Sequence, residues 1–376
     1  MNRTLLVVFT LMLLCGCVAQ HEAGLDIFTN GTEGGKIWAS ANQSFYLDAQ
    51  GNLWSWGDGA NGLLGDGTTD DRYEPKVILT DVVDMGDRTA LKNDGSLWTW
   101  GYGRNTPYQV DEGVLRICRG GLPFMKEDNS LWDLTWAADG GFEPYLICED
   151  VVDARKITTS RYEYVVLKPD ESMWGYGLKE YDESGLGFTV DEDPELPVFL
   201  SAEVSKLCAE SHGLFYIDKG NRLMVSGSVR DYFGNPLPLS SPTLVMDNTK
   251  DIMMGLILDL EGNLYTLTFA TEDNKTPIIT PKLIFTAVKE ITGPDTFLTT
   301  EAKLHEVINK NDWKNSIEIR LIAEDVVQHG KGQCHDLVLK KDGSIWGRSW
   351  GIRHGQTGYN NFPRSNDPLT RYPYLP

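Results

Sequence analysis

Two stretches decide the fold: Phe45-Tyr46-Leu47-Asp48-Ala49-Gln50-Gly51-Asn52-Leu53-Trp54-Ser55-Trp56-Gly57 and Ala90-Leu91-Lys92-Asn93-Asp94-Gly95-Ser96-Leu97-Trp98-Thr99-Trp100-Gly101. Each is an apolar strand, a polar turn built on glycine, and a second strand of aliphatic and aromatic residues, the signature of a hairpin. Six further copies follow, centred on Asn129 before Leu131-Trp132, Glu171 before Met173-Trp174, Gly220 before Leu223-Met224, Gly262 before Leu264-Tyr265, Ala302 before Leu304-His305, and Gly343 before Ile345-Trp346. Between the hairpins a second element recurs as Ile78-Leu79-Thr80-Asp81-Val82-Val83-Asp84, Ile147-Cys148-Glu149-Asp150-Val151-Val152-Asp153 and Ile322-Ala323-Glu324-Asp325-Val326-Val327-Gln328. It reads as an outer strand, a turn and an inner strand that leads into the next hairpin.

The unit is therefore four strands in roughly 40 to 45 residues, the size of one propeller blade. A single blade cannot bury both of its faces, so each needs a neighbour on either side, and a ring satisfies all of them. The expected fold is all-β: a β-propeller of four-stranded blades, eight repeats counted, with seven blades the alternative if the hairpin near Ala302 is displaced from the ring. The 11 tryptophans and 38 glycines suit many short strands and tight turns. Most tryptophans read as core. Trp56, Trp100 and Trp136, near strand ends, are the ones that could stack on a ligand.

This pattern resembles the regulator of chromosome condensation repeat. Copy one fits best, with Trp56-Gly57, Gly62-Leu63-Leu64-Gly65-Asp66-Gly67-Thr68 and Pro75-Lys76-Val77; the last copy keeps Trp350-Gly351 and Gly355-Gln356-Thr357-Gly358. The histidine that the family places before the hairpin's first strand matches His212 and His335, and recurrence at one repeat position makes both structural. The resemblance runs over about residues 35–370 and weakens in copy three and in copies five to seven. It implies a propeller that binds through the loops of one rim. Family members include nucleotide-exchange factors, chromatin binders and secreted bacterial inhibitors of β-lactamase; the first two roles belong inside eukaryotic cells.

Ahead of the repeats, Arg3 precedes the apolar run Leu5–Leu14, which is long enough for a signal-peptide core and too short to span a bilayer. The run ends in Leu14-Cys15-Gly16-Cys17, which resembles a bacterial lipobox. On that resemblance residues 1–16 are a signal peptide, Cys17 takes the lipid (palmitate among its acyl chains) and becomes the mature N-terminus, residues 17–34 form a tether, and residues 35–376 are the propeller. The expected location is the cell membrane or outer membrane, lipid-anchored, facing outside the cytoplasm. Cys118, Cys148, Cys208 and Cys334 remain, with neither metal-ligand nor local-pair spacing. Export permits disulfides among them, but Cys118 and Cys208 hold equivalent repeat positions where a small packed residue is expected.

A formal charge of -20 argues against nucleic acid as a partner, since phosphate binding needs clustered Lys and Arg. Gly57-Asp58-Gly59-Ala60-Asn61-Gly62 has dinucleotide-loop spacing, but no helix pattern follows it. Asp58, Asp66, Asp70 and Asp71 lack a calcium-loop spacing and read as solvated turn residues. His305, His329 and His354 have no nucleophile motif beside them. No catalytic residue, cofactor or metal site is expected. Loops that the repeat does not demand are the better candidates for function: Tyr102-Gly103-Arg104-Asn105-Thr106-Pro107-Tyr108, and Lys179-Glu180-Tyr181-Asp182-Glu183-Ser184. Tyr102, Arg104, Tyr108 and Tyr181 are the expected binding residues, because Tyr and Arg are often energetic at interfaces. The sequence thus points to a non-catalytic, membrane-anchored module for a protein or cell-envelope ligand. The alternatives are an inhibitor of an extracytoplasmic enzyme such as a β-lactamase, or an enzyme acting on envelope glycans.

Overall fold

A computed structural model describes residues 35–118, 121–138, 140–156, 163–177, 197–208, 213–233, 236–272, 276–309, 316–332, 335–349 and 369–371. Cys17, Tyr181, His212, His354 and Cys334 lie outside the described residues, as do the signal-peptide and tether segments.

Eight antiparallel four-stranded sheets follow one another along the chain, spanning 36–79, 82–111, 114–148, 153–201, 204–246, 249–285, 288–323 and 326–371. In every sheet the strands pair in chain order, so each blade is one uninterrupted segment. The first blade packs on the last and closes a ring. Ile37, Ala39, Tyr46 and Trp56 share one buried cluster with Leu337, Leu339 and Ile345, and the amide of Ile37 donates to Oε1 of Gln328 at 2.9 Å. The protein is an eight-bladed β-propeller, and the hairpin at Ala302 lies within the seventh blade between Phe297 and His305.

The hairpin turns explain why the repeat carries the residues it does. In four blades a carboxylate, a serine and an indole form a relay: Asp94, Asp128, Asp170 and Asp342 accept from the amide and hydroxyl of Ser96, Ser130, Ser172 and Ser344, whose hydroxyls accept from Trp98, Trp132, Trp174 and Trp346. The serine bonds hold these four carboxyls below their ordinary pKa. Blades one, five and six use a second design, in which Asp48, Asp218 and Asp259 cap the turn and reach Asn52, Arg222 and Asn263. Lys92, Lys126 and Lys340 cover the faces of Trp98, Trp132 and Trp346 at 4.5–4.8 Å. These indoles are therefore half-buried and held in place, whereas Trp56 and Trp100 are fully buried and Trp136 is exposed. Removing one relay hydroxyl should be felt modestly: Ser130→Ala is expected to lower stability by about 1 kcal/mol, read as a shift in the urea midpoint at constant slope.

Adjacent blades are laced at this same end. The last turn residue has positive φ at Gly51, Gly95, Asn129, Glu171, Asn221, Gly262 and Ala302, and its carbonyl accepts from the amide of Val82, Val114, Val151, Val204, Thr249, Val288 and Val326 at the start of the next blade. One position further in, the inner strand bulges in most blades, and the next residue along pairs with the hairpin. That paired position reads Lys36, Asp84, Arg116, Asp153, Lys206, Asp251, Glu290 and Gln328 around the ring. Three times a cation reaches the following blade in the same way. Lys36 meets the carbonyl of Val83 and the carboxylate of Asp84, Arg116 meets Val152 and Asp153, and Lys206 meets Lys250 and Asp251.

The next inner-strand residue is buried and aliphatic in seven blades, from Ile37 to Ile291, and is His329 in the eighth. Cys118 and Cys208 are buried as the repeat position requires, and Cys118, Cys148 and Cys208 form no disulfide among the described residues. Burial pushes the Cys118 thiol up to about 11, so it is packing and not a nucleophile.

Candidate protein-binding rim

Because each blade runs inner strand, second, third, outer, the connections alternate between the two ends of the ring. One end carries the tight turns just described. The other carries the connection from third to outer strand, which holds the sequences that depart from the repeat.

On that second end, blades two and three bring together an exposed aromatic group. Tyr102, at the tip between strands Leu97–Gly101 and Arg104–Asp111, is 45% exposed, and Trp136, at the end of strand Leu131–Trp136, is 47% exposed. Trp136 stacks on Phe142 at 4.6 Å, and Tyr102 meets both rings edge-on at 5.6 and 6.2 Å. The guanidinium of Arg88 lies over Tyr102 at 4.5 Å, and that of Arg104 over Tyr108 at 4.4 Å. The Tyr108 hydroxyl accepts from the amide of Phe142 at 2.8 Å, which ties blade two to blade three. Arg88 is further anchored by Asp87, which also takes a 2.7 Å bond from Ser40 of blade one. Burial works against its charge, but Asp87 and Tyr102 outweigh it and hold the Arg88 pKa above its ordinary value.

The patch is built on a close-fitting floor. A methyl at Gly141 would stand 2.8 Å from the Arg104 guanidinium, and one at Gly62 would stand 2.3 Å from the side chain of Asn105. The glycine loop of blade one thus seats against the Arg104–Asp111 strand, with Gly67 donating to the carbonyl of Asn105 and Trp100 to that of Leu63. Asp66 organises this loop, accepting from Thr68 and from Arg72 at 2.6 Å. Arg88 and Tyr102 both hold positive φ, 53° and 54°. Left-handed backbone at such residues costs of order 1 kcal/mol each and recurs at the turns of every blade, so here it is part of the turn geometry.

Three of the expected binding residues, Tyr102, Arg104 and Tyr108, therefore meet in one place, and Tyr181 lies outside the described residues. Sequence reasoning did not bring in Arg88 or Phe142, which come from different connections. Trp136 was legible only as an indole near a strand end. The signal that could have joined them is that Trp136 and Phe142 fall just beyond the repeat's own aromatic positions. Among the described residues no group of His, Cys, Asp and Glu could hold a metal ion.

Residues 50–85, from the first hairpin turn to the inner strand of blade two, match the model of the Regulator of chromosome condensation (RCC1) repeat. No curated protein matches the chain in sequence. Among solved structures, Prp20p from Saccharomyces cerevisiae, described together with its binding to Gsp1p and histones, aligns with a TM-score of 0.53 at 14% identity, over 87% of each chain. Human WBSCR16 aligns with a TM-score of 0.41 at 11% identity, over 92% of this chain and 82% of that one. The chain thus carries one matched copy of this repeat within a ring of eight four-stranded blades.

Proposed function

We propose that this chain is a non-catalytic, protein-binding propeller, held outside the cytoplasmic membrane by a lipid on Cys17, and that it engages its partner through the rim of blades two and three. The observation that carries the reading is the exposed Tyr102–Trp136 pair stacked on half-buried Phe142 and flanked by Arg88 and Arg104. Trp, Tyr and Arg dominate binding energy at protein interfaces. Here their rotamers are fixed by mutual stacking and by neighbouring backbone, so little ordering entropy opposes association. The anchor follows from Leu14-Cys15-Gly16-Cys17: acyl chains contribute about 0.8 kcal/mol per buried methylene, and two or more hold a protein stably at a bilayer.

Tyr102→Ala/Trp136→Ala is expected to abolish capture of the partner from envelope extracts, because it removes both exposed anchors and leaves the blade cores intact. A Leu283→Ala control on the outer strand of blade six should retain it. Loss of the same species in both variants, or in neither, refutes the rim assignment. For the anchor, Cys17→Ser should stop incorporation of an alkyne-labelled palmitate and release the chain from membranes. Continued labelling would refute Cys17 as the lipidated residue.

A further inference from the structure

At the opposite end of the ring, the inner-strand residue just before the paired position, bulged in six blades, forms a circle of its own. In blade order it reads Gly35, Val83, Leu115, Val152, Ser205, Lys250, Lys289 and Val327. An inner strand is covered on one edge by its own blade and on both faces by its neighbours, so what it exposes is exposed to the central channel. Val83 is 43% exposed and Leu115 is 52% exposed. In blade four, Val152 is half-buried and packs on the core between blades four and five, so the exposed aliphatic residues are those of blades two and three. Across the mouth, Lys250 and Lys289 are both exposed, and the ammonium of Lys250 is held over the backbone of blade seven by a 2.8 Å bond to the Lys289 carbonyl. Two adjacent lysines thus stand across the mouth from Val83 and Leu115, and no position of the circle is acidic, in a chain with 54 Asp and Glu residues.

The geometry points to a binding site for a fatty acid anion at the tight-turn mouth of the channel, with the carboxylate between Lys250 and Lys289 and the tail along Val83 and Leu115. The ion pair of Lys289 with Glu290, 3.4 Å long and half-exposed, is weak enough to yield to a ligand. One residue deeper, the ring from Lys36 to Gln328 is charged or polar, with Lys36, Arg116 and Lys206 already committed to neighbouring carboxylates. An apolar tail therefore lies across the mouth and does not thread the channel. An aliphatic acid suits the circle better than a peptide terminus. Apart from the lysines its only polar side chain is Ser205, whose hydroxyl proton is already given to the carbonyls of Ile217 and Asp218, so no side chain other than the lysines can donate to a peptide carbonyl.

The test uses the chain with Cys17→Ser, so that neither acyl anchor nor detergent competes, and titrates dodecanoate by calorimetry. One-to-one binding is expected, at least tenfold tighter than that of dodecyltrimethylammonium, which has the same tail and the opposite charge. Lys250→Glu/Lys289→Glu and, separately, Leu115→Glu should each weaken dodecanoate at least tenfold. These side chains are exposed, so the thermal midpoint should stay unchanged, and that measurement separates loss of the site from loss of the fold. Tyr102→Ala/Trp136→Ala should bind dodecanoate normally, which keeps this site distinct from the rim. Absence of saturable binding, equal affinity for the cationic amphiphile, or indifference to both channel variants would each overturn the assignment.

Discussion

Lowering the pH from 7 to 4 is expected to remove about 3 kcal/mol of stability through one residue, His335. Its ring is fully buried at the seam between blades eight and one, with Nε2 2.9 Å from the Ser44 hydroxyl and Nδ1 without a partner. Burial pushes its pKa down to about 4, against a weaker opposing pull from Asp336. The unfolded chain takes up a proton near pH 6.5 and the folded chain only near pH 4, so between those values unfolding gains a proton. The contribution is complete above about pH 6.5 and is lost as the pH falls towards 4. Urea unfolding at intervals across this range should show a midpoint that declines most steeply below pH 6. His335→Gln can still bond to Ser44 and does not titrate, so it should be less stable at neutral pH but flatter across the window. His305, whose pKa burial also lowers, adds to the slope in both proteins. An unchanged slope in His335→Gln would acquit His335.

The second large effect is expected at Arg348. Its Nε lies 2.5 Å from Asp336, and its terminal nitrogens grip Glu306 of blade seven at 3.0 and 3.3 Å. Asp336 is fully buried and also faces His329 at 3.1 Å, while Glu306 is held in addition by Arg320. Arg348→Ala leaves the buried Asp336 and the half-buried Glu306 across a blade interface with their shared cation gone. A loss of about 3–5 kcal/mol is expected, measured by urea unfolding at pH 7. Arg348→Lys should recover only part of it, because an ammonium cannot span Asp336 and Glu306 as the guanidinium fork does. A cost below about 1 kcal/mol for Arg348→Ala would mean that the network relaxes without it. Asp336 is held well below the usual carboxylate range by His329 and Arg348, which outweigh its burial. Its contribution, present above the unfolded carboxylate pKa, is lost only at pH values well under those that protonate His335. Acid should therefore loosen the seam of the ring before it reaches the link between blades seven and eight.

The blades were legible because a hairpin that packs on both faces must keep apolar residues at fixed positions even where its tryptophans are lost. Leu264, Leu304 and Ile345 are as buried as Leu53 and Leu97, so the weak copies could be counted with the strong ones. The inner strands were less legible. Their bulges place charged, aliphatic and buried residues in immediate succession, as in Val204-Ser205-Lys206-Leu207, and this hides the period of two on which strand reading relies. The alternation of Lys36, Asp84, Arg116, Asp153, Lys206 and Asp251 emerges only when the eight strands are set in register. The rim was half legible. Tyr102, Arg104 and Tyr108 share one short connection, but Arg88 and Phe142 reach it from other turns, and only tertiary structure joins them.

That alternation also bears on how such a ring can change in number. Each cation of blades one, three and five leans on the acid of the blade that follows. Deleting blade two alone would set Lys36 against Arg116, whereas deleting blades two and three together would set Lys36 beside Asp153 and restore a match. Electrostatically, the inner circle has a grain of two blades over blades one to six. A lineage that gains or loses blades while keeping this circle would move most easily in pairs, from eight to six or ten.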